Sequence, residues 1–127
     1  MVDEAGGRRV KLELYTYRAR IMRVVDGDTL DVDIDLGLGV WLHRQRLRLY
    51  GVNTPEVRGP ERPEGLKATA FVVDRVQEFG DWAYVRTYKD KTGKYGRWLA
   101  ELLWYPVEGR VYNLNNMLKH KGWGTGR

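Results

Sequence analysis

Cysteine is absent from the 127 residues, so disulfides, thiol nucleophiles and thiolate zinc sites are all excluded. Histidine is nearly as scarce: His43 and His120 alone are too few for an imidazole-based zinc cluster. Acid–base chemistry therefore falls to carboxylates, and any metal is expected to be a hard cation held through oxygen. No apolar run is long enough to span a bilayer, which argues against a membrane partner. The opening Met1-Val2-Asp3-Glu4-Ala5 lacks the basic-then-apolar pattern of a secretory signal. The expected location is cytoplasmic, or extracellular if a signal has been removed. Internal repeats and low-complexity segments are also missing.

What is present is one domain's worth of chain with 43% hydrophobic residues and a formal charge of +5. The positive balance favours a polyanionic partner. Residues 1–9 read as a flexible leader without apolar periodicity, and residues 10–127 as a single domain. A strand is predicted from Val10 to Val25, bent around Arg18, followed by a turn at Asp26-Gly27-Asp28 in which Gly27 allows positive φ. Leu30, Val32, Ile34 and Leu36 alternate with Asp31, Asp33 and Asp35, the pattern of a half-buried strand. Alternation puts the aspartates on one solvated strand face; they lack the glycine and terminal glutamate of a calcium-binding EF-hand loop.

After Gly37-Leu38-Gly39 a strand runs from Val40 to Val52, and its apolar positions change parity, which implies a bulge near Gln45. A helix is predicted from Pro63 to Glu78 on the spacing of Leu66, Ala70, Val73 and Val76, ending at Gly80. Strands follow at Trp82–Tyr88 and Trp98–Tyr105, separated by a turn at Lys91–Lys94. A short helix at Leu114–His120 closes before Gly122. The expected fold class is α+β: a five-stranded OB-fold Greek-key barrel with one central helix and a short C-terminal helix.

Three blocks carry candidate chemistry: Val25-Asp26-Gly27-Asp28-Thr29, Arg48 through Glu56, and Lys94-Tyr95-Gly96-Arg97. A carboxylate at Asp28, just past a glycine at a strand corner, can leave the sheet edge and meet a cation, or can simply form an Asx turn. Asp26 reads as the turn former or a support for Asp28. Pro55 fixes its own φ and extends Thr54, so the Thr54 carbonyl and Glu56 can be aimed into a cleft, although Thr-Pro-Glu also starts ordinary helices. Arg48 is either a barrel-edge ion pair or a phosphate clamp. Gly96 lets the backbone bend before Arg97, whose guanidinium fork suits a phosphate in a way lysine does not.

Taken together, these blocks and the terminal Leu114-Asn115-Asn116-Met117-Leu118-Lys119 segment resemble the staphylococcal nuclease (thermonuclease) family over about residues 15–123. The resemblance implies an OB-fold barrel and calcium-dependent hydrolysis of DNA and RNA to 3′-phosphorylated products. Position by position, it implies metal ligation by Asp28, by Asn53 and by the Thr54 carbonyl. Glu56 matches the general base, Arg48 and Arg97 the two arginines on the scissile phosphate, and Lys94 and Tyr95 the contacts to a neighbouring phosphate. Asn53 departs from the pattern, standing where the family has a second metal-binding aspartate, so weaker calcium binding is expected. The chain also stops at Arg127, before the family's last helix and its base-holding aromatic pair; the candidates for base contacts are then Tyr95, Trp98 and Trp123, with core or rim packing as the alternative role of the tryptophans.

The expected function is a calcium-dependent nuclease acting on single-stranded DNA and RNA, with no obligate protein partner. The alternative is a nucleic-acid-binding OB module whose catalysis is weakened or lost through Asn53.

Overall fold

The alternating Leu30, Val32 and Ile34 form the inner face of the second strand, and each is buried. A computed structural model describes residues 14–92, 96–106 and 109–125, the side chains of 89–92 excepted. In it, β1 (Thr16–Asp26), β2 (Thr29–Gly37) and β3 (Val40–Leu49) form an antiparallel meander. Helix α1 (Arg62–Phe79) crosses to β4 (Trp82–Thr92), which pairs with β1 on one side and β5 (Trp98–Trp104) on the other. A parallel pairing of β3 with β5 then closes the ring β1-β2-β3-β5-β4. The result is the expected five-stranded barrel with a central helix and a short C-terminal one, an α+β fold of OB type. A two-residue strand β6 (Tyr112–Asn113) adds to β5 and leads into α2 (Leu114–Leu118). Asn113 caps α2, accepting from the Asn116 N–H at 3.0 Å. Among the described residues no helix is long and apolar enough to cross a membrane.

Four local features differ from the sequence reading. First, β1 is described only from Thr16, and its irregularities fall at Met22 and Val25 rather than at Arg18, which pairs in register with both Asp35 and Tyr84. Second, the bulge in β3 lies at His43 and Arg44, just before Gln45. Two residues there oppose Asp33, Arg44 takes φ 55°, and its N–H donates to Asp33 Oδ1 at 2.8 Å. That extra residue shifts parity so that Leu47 and Leu49 turn inward. Third, β4 runs on to Thr92, where a turn was expected. Fourth, the buried face of α1 is Gly65, Ala68 and Val72, whereas Leu66 and Ala70 are exposed.

The helix was read through its large apolar residues, but the packing partner demands small ones. A Cβ on Gly65 would collide with the Glu56 carbonyl and lie 2.9 Å from that of Pro55. A Cβ on Gly27 would lie 2.7 Å from Ala68 Cβ and 2.8 Å from Thr54 Cγ2. Gly27 is also absent from the positive-φ positions, so its smallness matters here and its conformational freedom does not. Backbone-to-helix contact at two glycines thus clamps the 26–29 turn and the 54–56 segment against α1.

Gly65→Ala tests this clamp against propensity, because alanine is favoured over glycine inside a helix by about 1 kcal/mol. The collision with backbone reverses the sign, and urea unfolding should show a loss of about 1–3 kcal/mol. A more stable variant would show that helix and loop can part freely.

Candidate functional site

Hairpin register places the first two residues of the site. Asp26 pairs with Thr29 across the β1–β2 turn, and Thr29 lies opposite Arg48 on β3. The Asp28 carbonyl accepts from the Leu49 N–H at 2.9 Å, which fixes the turn to the end of β3. Arg48 therefore sits beside Asp28, with its Nη2 at 3.4 Å from Asp28 Oδ2. The same guanidinium donates Nη1 to the carbonyls of Val52 (2.6 Å) and Leu49 (3.2 Å), and Nη2 to Asn53 Oδ1 (3.4 Å).

Asp28 is almost entirely buried, at 8% exposure, and each carboxylate oxygen is met. Thr29 Oγ1 donates to Oδ1 at 2.9 Å, and the Thr54 N–H donates to Oδ2 at 3.2 Å. Thr54 is also buried, packed against Gly27, while Asn53 is exposed. The Asn53 N–H donates to the Trp123 carbonyl at 2.8 Å, Val52 bridges to Gly124, and the Thr125 N–H donates to the Gly51 carbonyl at 3.0 Å. The segment after α2 thus holds the loop that presents Asn53. From the other side, the buried Asn115 donates to the carbonyls of Tyr50 (2.9 Å) and Ala100 (3.0 Å) and accepts from the Leu102 N–H. No apolar periodicity marks either of these supports, which is why the sequence reading passed over them.

Asp26 and Asp28 behave as a pair. Burial, a side-chain hydrogen bond with Asp28 and the Asp28 charge together push the Asp26 carboxyl up from 3.8 to about 6. Asp28 moves the other way. Burial opposes its ionisation, but the Asp26 hydrogen bond, the Arg48 charge and the Thr54 and Thr29 donors outweigh it and hold Asp28 below its ordinary value. Asp26 is thereby more than a turn former.

Arg97 is half-buried and lines an open groove of about 570 Å³ together with Arg48, Tyr50, Gly51 and Leu99. The parallel β3–β5 register explains this convergence, since Arg48 pairs with Leu99, two residues past Arg97. Glu56 lies two residues beyond Thr54, with an exposed side chain; its N–H donates to Glu61 Oε1 at 3.0 Å. Among the described residues no hydrogen bond or ion pair joins Glu56 to Asp28 or Arg48. Lys94 and Tyr95 lie outside the described residues. Of the rings considered for base contacts, Trp98 donates its Nε1 to Gln45 Oε1 at 3.0 Å, and Trp123 packs edge-on against Phe71 with ring centres 6.0 Å apart. Both are half-buried packing groups.

The donor set suits a hard cation in a modest way. Asp28 provides a carboxylate, its neighbour Asp26 a second one, Asn53 an amide oxygen and Thr54 a backbone carbonyl. Among the described residues, however, no three Asp, Glu or His side chains gather around one point. Ligand charge is low, so affinity should be too. Neither the models of known protein families nor the curated proteins gave a match to this chain.

The Asp26–Asp28 pair sets a pH-dependent prediction. An acid whose value is raised on folding lends stability below about pH 4 that is lost as pH rises through about 6. Asp26→Asn keeps the acceptor for the Asp28 N–H and removes the ionisation. It should melt higher than the parent at pH 8, with the gap closing between pH 6 and 4. An equal gap at all pH values would mean that Asp26 is not the titrating group.

Proposed function

We propose that this chain is a metal-dependent phosphodiesterase that hydrolyses single-stranded DNA and RNA to 3′-phosphorylated products, as its resemblance to the staphylococcal nucleases implies. One observation carries the reading: Asp28 in the β1–β2 turn, Arg48 at the end of β3, and Asn53 and Thr54 in the loop beyond it share one hydrogen-bonded cluster beside the groove that Arg97 also lines. Charge is the obstacle in phosphodiester hydrolysis, because the anionic substrate repels hydroxide. Arg48 and Arg97 answer it by bringing two guanidiniums to one groove, where their forks can engage phosphate oxygens and the charge developing in the transition state.

Arg48 is held in place by Asp28 at 3.4 Å and by the Leu49 and Val52 carbonyls, which sets its guanidinium at the groove edge. Asp28, Asn53 and the Thr54 carbonyl would hold a calcium ion, which would supply charge neutralisation. Glu56, exposed in the same loop, is the group assigned by the resemblance to orient or deprotonate the attacking water. Lys94 and Tyr95 are assigned to a neighbouring phosphate by the same resemblance. A groove open to solvent on a small barrel accepts a flexible strand more readily than a stacked duplex.

Asn53 favours a second reading, a nucleic-acid-binding module with lost catalysis, because a neutral amide stands where a charged ligand is implied and already accepts from Arg48. The two readings separate on labelled single-stranded DNA. The enzyme cleaves it with calcium, stops with chelator, and loses about 100-fold to 1,000-fold in rate on Arg97→Ala and a comparable factor on Glu56→Ala. Cleavage that survives chelator or both substitutions rules the mechanism out. Salt-sensitive binding without product, and cleavage gained by Asn53→Asp, establish the second reading instead.

A further inference from the structure

The barrel carries a second concentration of arginine and aromatic side chains on the side away from the groove. In the ring order β1-β2-β3-β5-β4, strand β1 stands two places from both β3 and β5, whose seam carries the Arg48–Arg97 groove. The outward positions of β1 are Arg18 and Arg20, flanked on β4 by Tyr84 and Trp82. Arg18 lies over the Trp82 ring at 4.1 Å and Arg20 at 5.7 Å. Trp41 meets Trp82 edge-on at 6.2 Å, and Tyr84 meets Tyr105 edge-on at 5.1 Å. Arg18, Trp82, Tyr84 and Tyr105 also wall a small cleft of about 210 Å³.

Two facts separate this face from ordinary surface packing. Trp82, Tyr84 and Tyr105 are 43%, 37% and 47% exposed, so each ring leaves a large part of itself to solvent. And the register sets Arg18 opposite Asp35 and Arg20 opposite Asp33, yet among the described residues neither arginine makes an ion pair. Asp33 is engaged instead by His43 Nδ1 at 3.1 Å and the Arg44 N–H, and Asp35 accepts from the Gly37 N–H. Asp31 is taken by Arg46. The acids of β2 are thus engaged within β2 and β3, and the two guanidiniums lie on an indole with no carboxylate on their N–H edges among the described residues. A stacked guanidinium keeps its in-plane donors for a phosphate while its face stays on the ring.

We propose that this outer face of β1 and β4 is a second binding surface for single-stranded nucleic acid. Bases stack on Tyr84, Tyr105 and the guanidinium–indole stack built on Trp82, and the backbone phosphates pair with the N–H edges of Arg18 and Arg20. Flat exposed rings beside guanidiniums match a strand of alternating bases and phosphates better than an acidic peptide, which offers charge without planar groups. The proposal shares only its ligand class with the nuclease reading. It gives a strand two points of hold on opposite sides of one barrel, so long strands are gripped where dinucleotides are not.

Binding of a fluorescent 20-nucleotide oligothymidylate, measured by anisotropy in chelator across a range of salt, tests it. Replacing both arginines (Arg18→Gln with Arg20→Gln) should flatten the salt dependence by about 1.4, two contacts at roughly 0.7 each. Trp82→Ala should weaken binding about tenfold. The arginine pair leaves the ring–ring contacts of Trp82 with Trp41 and of Tyr84 with Tyr105 in place, so it decides the matter even if Trp82→Ala folds poorly. Unchanged affinity and slope in the arginine variant overturn the proposal, as does equal, equally variant-sensitive binding of polyglutamate. Dinucleotide cleavage with calcium, run in parallel, keeps the two readings apart. The arginine variant should cleave as the parent does, and a complete lack of cleavage with the binding losses intact refutes the nuclease reading alone.

Discussion

A carboxylate buried in the corner between a hairpin turn, a helix and a loop has to be neutralised where it stands, and in this protein Arg48 does it. Asp28 is accessible to only a sliver of solvent, and an unpaired charge there would be costly. Its partner arrives through the β2–β3 register, and the remaining lone pairs are met by Thr29 and by the backbone of Thr54. The same guanidinium reaches the carbonyls of Leu49 and Val52 and the amide of Asn53, so one side chain ties the strand end to the loop beyond it. This ion pair fixes where Arg48 stands at the edge of the groove.

Close packing keeps that pair in place. Gly27, Ala68 and Thr54 meet at distances that leave no room for an added methyl group, and Gly65 admits the carbonyls of Pro55 and Glu56. Small residues thus let α1 press directly on the backbone that carries Asp28 and Thr54. The chain after α2 closes the remaining side through the Trp123 carbonyl and the Val52–Gly124 bridge. Buried Asn115 spans β5 and the Tyr50 carbonyl with three hydrogen bonds, fixing the loop from beneath. These supports are polar or glycine-based, so they bring precision of position with little apolar area.

Barrel closure has a further consequence for charge. Because β3 and β5 meet in parallel, Arg48 and Arg97, 49 positions apart in the chain, open on one groove. The same closure turns the outward residues of β1 to the opposite side, where Arg18 and Arg20 lie over Trp82. Closure of the barrel therefore presents arginine pairs on two different faces. For a polyanionic ligand that placement matters more than the net charge.

The strands were legible because burial on one side imposes a period of two: Leu30, Val32 and Ile34 against Asp31, Asp33 and Asp35 leave no other solution. Even the β3 bulge announced itself as a parity change, one residue from its true place. The helix was legible as a helix, but its facing was not, since hydrophobicity points to Leu66 while sterics choose Gly65 and Ala68. Gly27 was read as a turn residue for the same reason: a sequence displays conformational freedom and hides the neighbour that forbids a Cβ. By itself, then, the sequence determined the barrel, the order of its elements and the residue types available for chemistry, because these depend on local period and composition. Tertiary structure alone decided that Asp28 leans on Arg48, that Asp26 and Asp28 share one proton economy, and that two arginine sites face opposite ways. Each of those depends on distances between residues that the chain keeps apart and only the closed sheet brings together.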